Sequence, residues 1–316
     1  MTTLKCIFKP FVQPLINPLE INKTTIINRK GYYILLQLNN ATIGVGEISP
    51  LPGLSTESYN QISNEIKKIT SIDINLDVSI FTYINNGFPI WSTLSSIQNG
   101  LESACLMILD YLSVRKIKSH YFINNLANLT ESYNDQHIKC KVGINNPQDE
   151  LLAINNIINN NPTVKFRFDA NNRFTLPKAV HFFSQIPAQN IDYIEDPCPK
   201  NKFEEFFNQT NLKLGLDYPN LSSTKGVKGI IIKPTIVGSI EKIQSIKKQF
   251  PHKNLIFSSS FETPIGIAAI VRLASLFSPA NIHGVNTLHY FNFTPALTQQ
   301  PLFESLNKTN CKQWLT

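Results

Sequence analysis

Paired cysteines and long apolar runs are both missing from this sequence. Its five cysteines are odd in number, far apart and without a C-x-x-C pair: Cys6, Cys105, Cys140, Cys198 and Cys311. This pattern indicates neither a disulfide framework nor a structural zinc site, and it fits a reducing cytoplasm best. No window is apolar over the length needed to span a bilayer, and residues 1–11 contain no signal-peptide core. We therefore expect a soluble cytoplasmic protein that has no membrane partner.

A concentrated basic surface is also missing. The formal net charge is +7, but the lysines are scattered through Asn- and Ile-rich stretches rather than gathered in one stripe with aromatic residues. This distribution argues against nucleic acid as a partner and favours a solvated surface with at most a mild preference for anionic substrates. The 316 residues suit one large or two ordinary domains, and a hydrophobic content of 42% is sufficient for a buried core.

The first hundred residues predict an α+β unit. Residues 32–38 and 41–48 are rich in strand-forming residues, and the dipeptide Asn39-Asn40 separates them. A short Asn-rich turn between two such runs is typical of a β-hairpin. We therefore expect an antiparallel pair of strands here.

A rigid loop and a helix are expected after this hairpin. Pro50 and Pro52 lack backbone donors, so the segment that contains them cannot continue a strand ladder. Residues 55–68 then predict a helix, with Ser55 or Thr56 as its N-cap.

From residue 97 onwards, amphipathic stretches alternate with short apolar runs. Predicted helices cover residues 97–111, 147–159, 176–185, 202–209, 239–249 and 264–277. Predicted strands cover residues 121–123, 137–142, 164–168, 192–195, 213–216, 229–233, 254–258 and 282–288. Eight strands, mostly with helices between them, predict a parallel α/β barrel.

Charged residues mark the ends of five successive predicted strands. They are Lys141, Asp169, Glu195, Asp217 and Lys233, and the intervals between them are 28, 26, 22 and 16 residues. Most of these intervals match one βα unit of a barrel, whose active site lies at the carboxyl ends of the strands. The short last interval predicts a clipped helix or a loop between residues 218 and 229.

Three of these residues predict a metal site. In a barrel, the carboxylates of Asp169, Glu195 and Asp217 would converge on one point at the carboxyl end of the sheet. Oxygen ligands with room left for water and substrate suit Mg²⁺, whereas Zn²⁺ would favour His or Cys. The alternative for each carboxylate taken alone is an N-cap of the next helix.

Lysines flank the predicted metal site on both sides. The strand period of two places Lys139 and Lys141 on one face and Cys140 on the other, and Lys233 stands across the barrel if strand order follows chain order. Such an arrangement suits abstraction of a proton α to a carboxylate. The alternatives are exposed lysines at a sheet edge and, for Lys233, a purely structural ion pair.

This ordered set of motifs resembles the enolase superfamily, and within it the o-succinylbenzoate synthase family. The resemblance covers nearly the whole chain and rests on residues 46–53, 139–141, 169–171, 195–198, 232–235 and 258–260. It implies a (β/α)7β TIM-like barrel with an N-terminal α+β capping domain. The implied boundaries are residues 1–98 for the capping domain, 99–290 for the barrel, and 291–316 for a C-terminal segment that packs back on the capping domain.

The resemblance also implies a reaction and roles for individual residues. The reaction is the Mg²⁺-dependent syn dehydration of the small carboxylate 2-succinyl-6-hydroxy-2,4-cyclohexadiene-1-carboxylate to 2-succinylbenzoate in menaquinone biosynthesis, with Mn²⁺ as a possible substitute. Lys141 would take the proton and assist loss of the hydroxyl, and Lys233 would stabilise the enediolate from the other face. Asp169, Glu195 and Asp217 would hold the metal. Supporting roles are implied for Lys139 and Asn171, and substrate contacts for Pro52, Gly53, Ser258, Ser259 and Ser260.

Two alternatives to this reaction remain open. Related proteins use the same lysine pair to racemise N-succinylamino acids or to epimerise dipeptides. A barrel that has lost catalysis and only binds is a more remote alternative, because a binding protein has no reason to keep two lysines and three metal ligands. The sequence carries no signal for oligomeric state.

Overall fold

An antiparallel sheet forms the N-terminal part of the chain. The computed structural model describes residues 1–109, 117–123, 126, 133, 136–218 and 225–292. The first sheet has the strand order β3-β2-β1-β4 and consists of β1 (Thr2–Ile21), β2 (Thr24–Leu38), β3 (Ala41–Ile48) and β4 (Ser71–Ile74). β2 and β3 pair antiparallel around Asn39 and Asn40, which both have positive φ, as a two-residue hairpin turn requires. The predicted antiparallel pair is confirmed.

Three helices accompany this sheet: α1 (Tyr59–Glu65), α2 (Ile80–Asn86) and α3 (Ser95–Leu109). The prediction of Ser55 or Thr56 as the cap of α1 is wrong, because Ser58 caps it in a reciprocal box with Gln61. Ser55 Oγ instead accepts a hydrogen bond from Leu51 N at 2.8 Å and so belongs to the preceding loop.

The second sheet is a parallel barrel. Its strands are β5 (Lys118–Ser119), β6 (Tyr121–Ile123), β7 (His137–Lys141), β8 (Lys165–Asp169), β9 (Ile191–Glu195), β10 (Leu214–Asp217), β11 (Val227–Ile232), β12 (Asn254–Phe257) and β13 (Ile282–His283). Strands β6 to β12 pair in chain order. β13 pairs with β5 and is bridged to the end of β12 through Ser258 and Gly284, so the sheet closes on itself. The predicted α/β barrel is confirmed.

In the described part of the chain, six helices follow the barrel strands: α4 (Pro147–Asn160), α5 (Leu176–Phe183), α6 (Phe203–Thr210), α7 (Pro234–Val237), α8 (Ile240–Gln249) and α9 (Pro264–Phe277). Several of these helices begin at a residue that favours a helix start, either a capping side chain or a proline in the first turn. Pro147 stands in the first turn of α4 behind the cap Asn146, and Ser239 caps α8. Among the described residues, no helix has the length and apolar character needed to cross a bilayer.

Buried polar contacts join the first sheet to the barrel. Arg29 on β2 is fully buried and donates to the carbonyls of Ser49, Pro50 and Phe261 at 2.7, 2.8 and 3.0 Å. Glu47 on β3 accepts from Thr263 N and from Gly266 N at the start of α9, at 3.1 and 2.9 Å. These contacts fix the loop after β3 over the carboxyl end of the barrel.

The proposed domain boundaries stay predictions. Helix α3 runs through the boundary set at residues 98 and 99. Of the C-terminal segment 291–316, residues 293–316 lie outside the described residues. The connection predicted as a clipped helix or loop falls mostly on residues 219–224, which also lie outside them.

Candidate active site

Strand order decides which side chains face each other at the mouth of the barrel. With β6 as the first strand and β13 as the eighth, Lys141 ends the second strand and Lys233 follows the sixth, on the opposite side. Asp169, Glu195 and Asp217 end the third, fourth and fifth strands. The wall that faces these carboxylates belongs to the seventh, eighth and first strands.

Backbone pairing brings the strand ends to one level. Lys141 pairs with Asp169, and Asp169 pairs with Glu195. Lys139 lies one layer deeper on the same side of β7 and is 7% exposed, while Cys140 points the other way and is fully buried. The structure therefore gathers the predicted lysines and carboxylates at one end of the barrel.

Two lysines hold the three carboxylates. Lys139 Nζ donates to Glu195 Oε2 at 2.6 Å and lies 3.9 Å from Asp169 Oδ2, and Lys233 Nζ donates to Asp217 Oδ2. As these side chains are arranged, the described residues contain no group of three or more His, Cys, Asp or Glu side chains that could hold a metal ion.

Other carboxylate oxygens at the site are unsatisfied. Glu195 Oε1 and Asp217 Oδ1 are buried and have no hydrogen-bond partner in the described part of the chain. Burial, opposed by Lys139 and reinforced by Asp217 and Asp169, raises the pKa of Glu195 to about 7. A buried anionic oxygen without a donor is costly, and a hard divalent cation satisfies such oxygens. In chemical type, these oxygen donors therefore suit Mg²⁺.

The two lysines of β7 differ in how readily they lose a proton. For Lys141, burial lowers the pKa below its ordinary value, and the positive charges of Lys139, Arg173 and Lys233 reinforce the effect against that of Asp169. Burial also lowers the pKa of Lys139, but the charges of Glu195, Asp169 and Asp217 outweigh it and raise the pKa above its ordinary value. Lys141 is thus suited to act as a base, and Lys139 stays a cation.

Asn171 supports the carboxylate of Asp169. Both its backbone N–H and its side-chain amide donate to Asp169 Oδ1. It adopts the left-handed region with φ of 47°, which Asn tolerates better than most residues. The turn after β8 therefore orients the carboxylate that precedes it.

A cavity of about 130 Å³ lies at these strand ends. Of the three predicted serines, Ser258 and Ser259 line it and Ser260 does not. Ser259 Oγ is occupied by Glu262 and Thr287 at 2.9 and 2.8 Å. Ser258 is therefore the serine best placed to meet a substrate.

The predicted substrate contacts of Pro52 and Gly53 stay predictions. These residues line a separate outer groove, whereas Leu51 and Leu54 line the cavity. The backbone explains the difference, because Leu54 N donates to Leu51 O at 3.0 Å in a turn that sends both leucines to the same side.

Sequence reasoning missed several residues of the cavity wall. Glu20, Ile21 and Asn22 reach it from the tip of the β1–β2 hairpin, and His120 and Phe122 reach it from the first barrel strand. Their place depends on how the sheet docks and how the barrel closes. No local pattern signals that.

The chain combines an α/β barrel under an antiparallel capping sheet with lysines that face each other beside three strand-end carboxylates, and in this architecture it resembles proteins of the enolase superfamily. Residues 9–104 match the family model described as MenC, N-terminal domain. Over 301 residues, the chain is 25% identical to o-succinylbenzoate synthase of Haemophilus influenzae. This alignment covers 89% of this chain and 88% of that protein. The similarity to named enzymes indicates that this chain is also an enzyme.

Solved structures agree on the fold. The o-succinylbenzoate synthase of Thermosynechococcus elongatus, complexed with Mg in its active site, superposes with a TM-score of 0.69 at 20% identity, covering 96% of this chain and 99% of that one. The dipeptide epimerase of Enterococcus faecalis, complexed with Mg and a dipeptide, gives a TM-score of 0.72 at 16% identity and covers 93% of each chain.

Proposed function

We propose that the chain is an o-succinylbenzoate synthase, a dehydratase that converts 2-succinyl-6-hydroxy-2,4-cyclohexadiene-1-carboxylate to 2-succinylbenzoate and water. The observation that carries the proposal is the placing of Lys141 and Lys233 on opposing strands beside Asp169, Glu195 and Asp217, two of which keep unsatisfied buried oxygens. The similarity to named synthases over most of the chain supports the choice of substrate.

In this proposal, Asp169, Glu195 and Asp217 would hold Mg²⁺. When bound, the ion would draw negative charge from the substrate carboxylate and so lower the free energy of the enediolate. Lys139 keeps Glu195 oriented, and Asn171 does the same for Asp169. Mn²⁺ as a substitute stays part of the proposal.

Lys141 would act first, as a neutral amine. It would remove the proton from the carbon that bears the carboxylate, and its lowered pKa makes the amine available. The electron pair left on that carbon would then expel the hydroxyl group from the neighbouring carbon. Lys141 would return its proton to the departing oxygen, so that water leaves and the ring becomes aromatic.

Lys233 would stay protonated on the other face of the ring. Its hydrogen bond to Asp217 fixes the side chain on the sixth strand, opposite Lys141. An ammonium group there stabilises the developing enediolate by charge alone. Since aromatisation makes the elimination downhill, stabilising this anion is the main task of the protein.

An ultraviolet assay tests the proposal. The cyclohexadiene substrate should lose its absorbance in the presence of the enzyme and Mg²⁺, and product should form in equal amount. No turnover at saturating Mg²⁺, with the folded protein, would refute the assignment.

Racemisation of N-succinylamino acids or epimerisation of dipeptides is the second candidate. Two lysines on opposing strands are also what a proton transfer between two faces requires, and this observation favours it. Incubation of an N-succinylamino acid in D₂O discriminates, because a racemase exchanges the α-hydrogen of both enantiomers. We further propose a cytoplasmic location and leave the oligomeric state open.

A further inference from the structure

His120 lies in the cavity wall that faces the carboxylates. It connects β5 to β6, is 3% exposed and lines the cavity beside Ser258 and Gly284. Its backbone N–H donates to His283 O on the eighth strand at 2.9 Å. The strand pairing that closes the barrel therefore fixes the position of this histidine.

Arg167 fixes the tautomer of His120. Arg167 Nη1 lies 3.0 Å from His120 Nδ1. Guanidinium nitrogens only donate, so Nδ1 has to accept and the proton of the neutral ring is on Nε2. Arg167 is held in turn by Asp192 Oδ2 at 2.7 Å and by Ile282 O at 2.8 Å.

The Nε2 edge of the ring lies close to Gly284, whose place in the cavity wall has no room for a side chain. A Cβ atom at Gly284 would lie 3.0 Å from His120 Nε2 and 2.9 Å from Ser258 Oγ. Neither of these atoms has a hydrogen-bond partner within the described ranges. The Nε2 edge of His120 thus lies beside Ser258 Oγ in the cavity wall, with no side chain at position 284 between them and the cavity.

The ring remains neutral at this position. Burial lowers the pKa of His120 well below its ordinary value, and the charges of Arg167 and Lys139 reinforce the effect. A neutral, buried N–H group pairs best with a neutral acceptor, whereas a carboxylate would favour a cation or several donors.

We propose that His120 donates a hydrogen bond from Nε2 to the ketone oxygen of the substrate's succinyl side chain. The role rests on the proposed function and deepens it. The ring carboxylate would face Asp169, Glu195 and Asp217, and the reacting carbon would lie between the lysines. The acyl group beside them would then extend towards the seventh, eighth and first strands, where the Nε2 edge of His120 lies.

Ligand binding in the presence of Mg²⁺ tests this role apart from turnover. The probes are 2-succinylbenzoate and 2-(3-carboxypropyl)benzoate, in which a methylene group replaces the ketone. His120→Asn keeps an acceptor for Arg167 through its side-chain oxygen but has no donor at the Nε2 position. His120→Gln carries an amide nitrogen that reaches that position, and His252→Asn is the matched control at an exposed site.

The effect of the His120 variants on binding should depend on whether the ligand carries the ketone. We expect His120→Asn to weaken binding of 2-succinylbenzoate about tenfold and to leave the affinity for the ketone-free analogue unchanged. His120→Gln should restore most of the loss, and His252→Asn should change neither affinity. With a ¹³C-labelled ketone, the bound resonance should lie downfield of free ligand in the wild type and move back in His120→Asn.

Three results would overturn the assignment of His120: equal losses for both ligands, no loss for either, or an unchanged ¹³C resonance in a folded His120→Asn protein. If the wild type neither binds the ligands nor dehydrates the substrate, the proposed function itself fails and this inference fails with it.

Discussion

Lys139 donates a hydrogen bond to Glu195 at 2.6 Å, although β8 separates the strands that carry them. The contact passes over Asp169, to which Lys139 also lies within 3.9 Å. A lysine held by two carboxylates stays protonated, and its positive charge makes a second positive charge at Lys141 unfavourable. Lys139 thus orients Glu195, the proposed metal ligand, and helps to lower the pKa of Lys141, the proposed base.

The first prediction concerns the base. Lys141→Ala and Lys141→Arg should both lose about 10³-fold or more in kcat, because Arg keeps the charge but cannot give up its proton. Lys233→Arg should retain more activity than Lys233→Ala, since it preserves a cation facing the enediolate. Steady-state assays of the four variants check this. A nearly normal rate for Lys141→Ala together with an inactive Lys233→Arg would reverse the two roles.

The second prediction concerns the metal. Asp169→Asn should bind Mg²⁺ at least tenfold more weakly, by an order-of-magnitude estimate, and lose turnover while its circular dichroism stays unchanged, because it removes a charged oxygen ligand. Asp149→Asn, at an exposed position of α4, is the control and should behave like wild type. Titration calorimetry with Mg²⁺ gives the affinity. Full activity after removal of metal with EDTA would contradict the prediction.

The third prediction concerns pH. Burial is the main reason why the pKa values of Glu102 and Glu195 are both raised to about 7. A glutamate of the unfolded chain has a pKa of about 4.3, which is well below the pKa of these two groups in the folded protein. The folded metal-free protein therefore binds more protons in that interval, and these two groups lower its free energy of unfolding as the pH rises.

Glutamine variants separate the two contributions. Relative to wild type, Glu102→Gln and Glu195→Gln should each gain stability, by up to a few kcal/mol, as the pH rises from about 4 to about 7. Saturating Mg²⁺ should remove the pH-dependent difference for Glu195→Gln and leave that for Glu102→Gln. Urea denaturation across this range provides the measurement. Equal responses of both variants to Mg²⁺ would argue against a metal at Glu195.

The fourth prediction concerns the contact between cap and barrel. Arg29→Met should reduce the free energy of unfolding by about 3 kcal/mol or more, because it leaves the carbonyls of Ser49, Pro50 and Phe261 without a donor. KM should also rise, since the loop over the cavity loses its attachment. Lys30→Met changes the exposed neighbour and should affect neither quantity. A loss in Arg29→Met no larger than in this control would show that the carbonyls find other donors.

The fifth prediction concerns the loop over the cavity. Leu54→Ala should raise KM for the substrate severalfold, on the order of the loss of a few buried methylene groups, and should change kcat much less. Leu54 lines the cavity but lies on a different chain segment from the lysines and carboxylates. Leu152→Ala, on the exposed face of α4, serves as the control. An unchanged KM would mean that the loop does not touch the substrate.

The gathering of charged residues at one end of the barrel could be predicted because each of them comes at the end of a short, mostly apolar run. Asp169 and Glu195 end strands whose outward residues, such as Phe168 and Ile194, are fully buried, and this contrast is visible in the sequence. The apolar run of a strand and the polar turn that follows it together predict which side chain stands at the strand end. The roles assigned to these residues stay predictions until the variants are measured.

Other parts of the fold had no such local signal. β1 contains Pro10, Pro14 and Pro18, which usually argue against a strand, but β4 pairs only with Thr2–Lys5, so that all three prolines lie beyond this pairing. His120 reaches the cavity only because β13 pairs with β5. Contacts between distant segments decide both cases.

Charge balance follows from the pairing of lysines with carboxylates. When ionised, Asp169, Glu195 and Asp217 outnumber the ammonium groups of Lys139 and Lys233 by one negative charge, with Lys141 neutral. A divalent cation and one substrate carboxylate would together bring the site to electroneutrality. Proton abstraction then only moves a charge from the substrate to Lys141, so no net charge has to be created in a desolvated space. A monovalent cation would leave the site one charge short at every step.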